Sequence, residues 1–194
     1  MNKKLSTKEL CLTAIFTGLT SVCAQIAIPL PFTPAPISFG MVGVYIAAIL
    51  LTPRCAVLSQ ICYLLLGAIG LPVFGGFKGG MGALFGPTGG YLLVYPIMVA
   101  IVSTTLNSYK ALNAKYSRKT AFIKGSLGIC IAHLVLYIGG TAWLSVTTEK
   151  SFVTSLTVGV YPFIPLDIIK IIFCIVVILP LRERLLKVGI LERD

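Results

Sequence analysis

The chain has 194 residues, of which 57% are hydrophobic and only 11% charged, with a mean hydropathy of +0.97. A soluble fold of this size would lack the polar surface to face water, so the composition points to a bilayer as the solvent. The net charge of +10 does not indicate a nucleic-acid binder, because the basic residues are scattered between long apolar runs instead of gathered on one water-facing surface.

No Asp, Glu, Lys or Arg occurs over 10–53, 55–77, 79–109 or 125–148. Roughly 20 apolar residues cross the hydrocarbon as a helix, so the first run holds two spans and the other three hold one each. Helices are expected over 9–28 and 37–52, separated by IPLPFTPAPISFG, whose prolines at 29, 31, 34 and 36 remove backbone donors and keep the connector extended. Further helices are expected over 55–71, 90–107, 121–145 and 160–181. The reading is an all-α integral membrane protein, one domain over 1–194 with six transmembrane helices. MNKK followed by an apolar stretch also looks like a signal peptide, with Ser21-Val22-Cys23-Ala24 as a poor cleavage site, but the stretch is long enough to span and is read as a retained first helix.

Lys and Arg concentrate in cytoplasmic loops. With six spans and a cytoplasmic N-terminus, thirteen basic residues fall inside (3, 4, 8, 54, 110, 115, 118, 119, 124, 182, 184, 187 and 193) and only Lys78 and Lys150 outside. The same orientation makes the C-terminus cytoplasmic and puts the loop between the third and fourth helices on the outer side.

The six cysteines, at 11, 23, 55, 62, 130 and 174, form no CxxC pair and read as small core residues, with no metal site. His133 stands without a second ligand or a nucleophile, and reads as a helix–helix hydrogen bond. No phosphate-binding GxxxxGK[ST] is present, so any pumping draws its energy from a partner. An enzyme is not expected.

In GGFKGGMGALFGPTGG, residues 75–90, eight of sixteen positions are glycine, yet Phe77, Met81, Leu84 and Phe85 make the segment too apolar for a linker. It reads as a lid or re-entrant loop over a pocket, in which glycines such as Gly82 let backbone amides approach a ligand. Gln25 and Tyr91, at the outer ends of the first and fourth helices, either join that pocket or serve as interhelical glue and an interfacial aromatic. Asp167 and Lys170 are the only charges inside a span. Each costs at least about 2.5 to 3.5 kcal/mol at depth, and at i and i+3 they share one face. They are either a structural ion pair, favoured by the dipole of a helix starting at Pro165, or a ligand site. Ala14 and Gly18 form a small-xxx-small pair on the first helix, suited to close approach of another helix.

IPLPFTPAPISFG, LLLGAIGLPVFGGFKGGMGALFGPTGGYL, and FIPLDIIK followed by LRERL resemble, in this order and spacing, the BioY family of biotin-binding S components of energy-coupling-factor transporters. The likeness runs from about residue 10 to 190. It implies a six-helix subunit of a bacterial cell membrane that captures biotin from outside and associates with a transmembrane coupling subunit and two cytoplasmic ATPases. It needs no cofactor, biotin being the cargo. It also implies that Ala14 and Gly18 meet the coupling subunit, although the usual motif has alanine at both ends. Leu166 stands where the family's FIPGDLIK pattern has glycine. Such a cargo fits the residues: Asp167 accepts from ureido N–H groups, Lys170 donates to the ureido oxygen or the carboxylate, and Tyr91, Phe85 and Trp143 wall the rings.

Overall fold

A computed structural model describes residues 5–112 and 118–188. Within them the chain is a helical bundle. α1 (Thr7–Gln25) opens with a capping box in which Ser6 Oγ accepts from Glu9 N at 3.2 Å and Ser6 N donates to Glu9 Oε2 at 2.7 Å. Its inward stripe is Thr13, Thr17, Thr20 and Ala24. Buried hydroxyls need partners: each threonine donates to the carbonyl four residues back, and Thr17 also reaches Ser59 O at 3.0 Å. The expected helix over 9–28 stops at Gln25, because Ala27–Ile28 pairs antiparallel with Ile37–Ser38 as a two-stranded hairpin, β1 and β2. The proline-rich connector is the loop of that hairpin.

α2 (Gly40–Leu50) and α3 (Pro53–Ala68) follow. The 11 residues of α2 rise only about 16 Å, and nine of them are buried. It is the axial helix of the bundle, buried on all sides as its uniformly apolar sequence requires. α1 reaches it closely because Gly43 lies directly against the Thr20 backbone. α3 begins at Pro53 under a Thr52 cap and ends three residues before the expected limit.

The glycine-rich segment is folded. Phe74 and Lys78 exchange backbone hydrogen bonds of 2.9 and 3.2 Å around a tight turn that uses Gly76 and Phe77 in the left-handed region, φ 72° and 59°. The short α4 (Met81–Leu84) and α5 (Gly89–Leu93) come next. α6 (Tyr95–Leu112) continues from α5 after a turn at Val94, as Pro96 lacks the donor that would continue the ladder. α7 (Arg118–Thr148) is longer than the expected 121–145 by one turn at each end.

The expected single helix over 160–181 is corrected. α8 (Phe152–Gly159) ends before Pro162, and a new helix, α9 (Ile164–Phe173), starts with Pro165 in its first turn. α9 runs through a π-helical turn, Cys174–Ile178, into α10 (Leu179–Lys187). Pro180 explains the π turn: without an N–H it cannot bond to Val176, and the ladder shifts register around it.

α1 packs on α2 and α3, α6 packs on α2, α3 and α7, and α7 also covers α5 and α8. Between them Tyr45, Ile49, Tyr63, Met98, Val102 and Ile129 are fully enclosed. Large apolar side chains such as Ile15, Leu65, Leu134, Ile138, Ile168 and Ile172 point outward. Among the described residues three helical stretches are long and apolar enough to cross a membrane, Gly89–Leu106, Phe122–Thr148 and Ile164–Leu186, while α2 and α3 are shorter apolar helices. Lys3, Lys4, Lys115 and Arg193, part of the expected inside charge, lie outside the described residues.

Candidate functional site

The face of α9 is inverted relative to a helix in water. Its two charges, Asp167 and Lys170, are its buried residues, 5% and 6% exposed, whereas Leu166, Ile168, Ile169 and Ile172 face outward. Apolar side chains outward and charges inward is the arrangement lipid demands. Pro165 starts the helix so that Asp167 falls in its first turn, where the exposed N–H groups favour a carboxylate.

The carboxylate is held from three sides. Lys170 Nζ donates to Oδ1 at 3.0 Å, Tyr137 Oη donates to Oδ2 at 2.9 Å, and His133 Nε2 stands 3.6 Å from Oδ2. Lys170 also donates to Ser38 O in β2 at 2.8 Å and lies 5.7 Å from the centre of the Phe39 ring. Behind this pair, His133 Nδ1 and Tyr45 Oη are 3.1 Å apart. A proton on Nε2 faces the carboxylate favourably, which leaves Nδ1 as the acceptor for Tyr45. His133 Nε2 has no partner within hydrogen-bond distance and is fully buried. The network joins α2, α7, α9 and the β hairpin.

Asp167 and Lys170 open onto a cavity of about 130 Å³. Its walls combine apolar and aromatic surface, including Met41, Phe74, Tyr91, Tyr95, Leu136 and Phe163, and Tyr137 and Lys78 add polar groups. Tyr91 is fixed by Oη donating to Gly159 O at 3.0 Å while its ring lies flush on Gly140, where a Cβ would collide. A second recess shares Lys78, Ala83 and Thr88 with the first and is bounded by Pro34, Gly82 and Gly86.

Of the residues singled out from sequence, Asp167, Lys170 and Tyr91 share the cavity wall, and Gly82 borders the adjoining recess. Gln25, Phe85 and Trp143 do not line either. Gln25 clasps the glycine-rich loop instead, accepting from Phe77 N at 2.8 Å and donating to Pro72 O at 3.1 Å. Trp143 Nε1 donates to Gly86 O at 2.9 Å, and its side chain fills the space left by the missing Cβ of Gly90, next to Phe85. Tyr45, Tyr137 and the Ser38 carbonyl were not legible as site groups, since nothing in their local sequence sets them apart, and Lys78, the one charge of the glycine-rich segment, was read for orientation alone. The lone His133 was the available signal.

Outward apolar faces and an aromatic-lined cavity with a buried charge pair define a class, a helical membrane protein with a polar-floored cavity inside its bundle. The model of the BioY family matches residues 1–187, and the chain belongs to that family, one of transport proteins and not of enzymes. A protein of Pyrococcus horikoshii described as a probable biotin transporter BioY is 36% identical over 86% of this chain and 91% of its own length. The biotin transporter BioY of Thermotoga maritima is 35% identical over 91% and 96%. Among solved structures, the S component for biotin from an ECF-type ABC transporter superposes with a TM-score of 0.79 at 28% identity, covering 93% of this chain and 95% of that one.

Proposed function

We propose that this chain is the biotin-binding S component of an energy-coupling-factor transporter, a single six-helix transmembrane domain energised by a coupling subunit and two cytoplasmic ATPases. The observation that carries the reading is the inward-facing Asp167–Lys170 pair opening onto an aromatic cavity. Biotin offers two ureido N–H donors, a ureido carbonyl, an apolar bicycle and a carboxylate on a chain. Asp167 Oδ1 carries one bond from Lys170 and keeps a lone pair for a ureido N–H, while Oδ2 is engaged by Tyr137. Lys170 retains a third N–H for the ureido oxygen, and Tyr91 lies against the bicycle.

The six spans are α1, α2, α3, α5 with α6, α7, and α9 with α10, the short α2 being shielded from lipid by its neighbours. Both termini are cytoplasmic and the glycine-rich loop faces outward, in a bacterial cell membrane. Gly82 lets the backbone approach the cargo from that loop, and Gln25, Phe85 and Trp143 support the wall from behind. Ala14 and Gly18 lie exposed on α1, away from its buried threonine stripe, and a Cβ added at Gly18 meets nothing within 4 Å. That open face supports a coupling subunit docking there.

Equilibrium binding of labelled biotin to the purified chain tests the reading. Saturable binding to the chain alone is expected, with uptake into vesicles only after the coupling subunit and ATPases are added. Lack of binding, or uptake by the chain alone on an ion gradient, would overturn it.

A further inference from the structure

We propose that Lys78 selects for a negatively charged tail on the cargo, its ammonium pairing at the cavity mouth with a carboxylate whose uncharged polar head is held at the floor. This rests on the biotin reading above. Among the described residues three charged side chains line the cavity: Asp167, Lys170 and Lys78. At the floor the first two neutralise each other, and Lys170 also satisfies the Ser38 carbonyl. A monoanionic cargo entering tail first would therefore bring an uncompensated carboxylate against a pair that is already balanced, and would set it close to Asp167. Entering head first, it leaves the carboxylate near Lys78, which forms no ion pair among the described residues.

Lys78 is also built into position. It is exposed, whereas the floor pair is buried, and it borders both the cavity and the adjoining recess. Two backbone hydrogen bonds to Phe74 fix its main chain, and Gln25 holds the neighbouring Phe77 N–H. The backbone is pinned at the rim while the ammonium, on a flexible stem, sweeps the opening. A lysine in an open linker would have neither restraint.

The test measures equilibrium binding of biotin and of biotinol, in which an uncharged alcohol replaces the carboxylate, to wild type, Lys78→Met and Lys78→Arg. Wild type is expected to bind biotin about tenfold more tightly than biotinol, the scale of one charge-assisted contact. Lys78→Met should lose that preference by weakening biotin alone, and Lys78→Arg should keep it. Unchanged biotin affinity in Lys78→Met, or equal loss of both ligands, overturns the role of Lys78 while biotin binding itself stands. Failure of wild type to bind biotin overturns the cargo assignment instead.

Discussion

At Asp167 two side chains of α7, His133 and Tyr137, and a hairpin carbonyl converge on one charge pair, and removing any one member leaves an identifiable group without its partner. Lys170→Met leaves the Asp167 carboxylate with Tyr137 as its hydrogen-bond donor and strips Ser38 O of its donor. Breaking one side of a buried pair costs about 3 to 5 kcal/mol. Asp167→Asn keeps one acceptor oxygen but turns an N–H₂ toward donors. Each single change is expected to lower the thermal stability of the detergent-extracted protein and to weaken biotin binding by tenfold or more. The Asp167→Asn, Lys170→Met double variant should regain part of the stability but not the affinity. Near-native affinity in the double variant would reduce the pair to a structural ion pair. A subtler expectation concerns Tyr45, which is fully buried and does not line the cavity. Tyr45→Phe leaves His133 Nδ1 a buried acceptor without its donor, while the Asp167 carboxylate still favours the proton on Nε2. Stability should fall by about 1 to 3 kcal/mol with biotin affinity close to wild type, and a histidine ¹⁵N spectrum should show the same tautomer as wild type. A change of tautomer would remove the argument.

The elements owe their boundaries to a few local causes, and these set what each one tolerates. Proline ends or shifts the ladder before α6, between α8 and α9, and at the π turn. Glycine permits close approach where an aromatic ring replaces a Cβ: Phe74 on Gly67, Trp143 on Gly90 and Tyr91 on Gly140. Gly140→Val drives a branched side chain into the Tyr91 ring, and is expected to lower both stability and biotin affinity, as overpacking costs about 1 to 3 kcal/mol even in adaptable cores. Gly18→Trp, on the open face of α1, is expected to do the reverse. Biotin binding and stability of the isolated chain should be near wild type, while assembly with the coupling subunit, measured by co-purification, should be lost. Loss of binding by the isolated chain would show that the residue packs the chain's own bundle. The α1 threonine stripe was not anticipated as an interface, because threonine donating to its own helix looks alike in any sequence until Ser59 is seen opposite.

For the whole molecule, orientation decides which face meets the cargo. In a variant whose six native cysteines are replaced, Lys150→Cys is expected to react with an impermeant thiol reagent added outside intact cells, and Arg54→Cys only after permeabilisation. The opposite pattern would invert the orientation and put the cavity mouth on the cytoplasmic side.

The order of apolar runs, the breaks at proline and the two intramembrane charges were fixed by the sequence itself, because the cost of charge in hydrocarbon and the missing donor of proline act locally. The inverted face of α9 follows from the same two charges. What only the tertiary structure decided is which distant groups complete them. Tyr45, His133, Tyr137 and the Ser38 carbonyl come from three separate segments, and Gln25 reaches the glycine-rich loop 52 residues away without entering the cavity. Such partnerships depend on how the axial helix α2 and its neighbours pack, and side-chain packing across a bundle leaves no periodic mark along the chain.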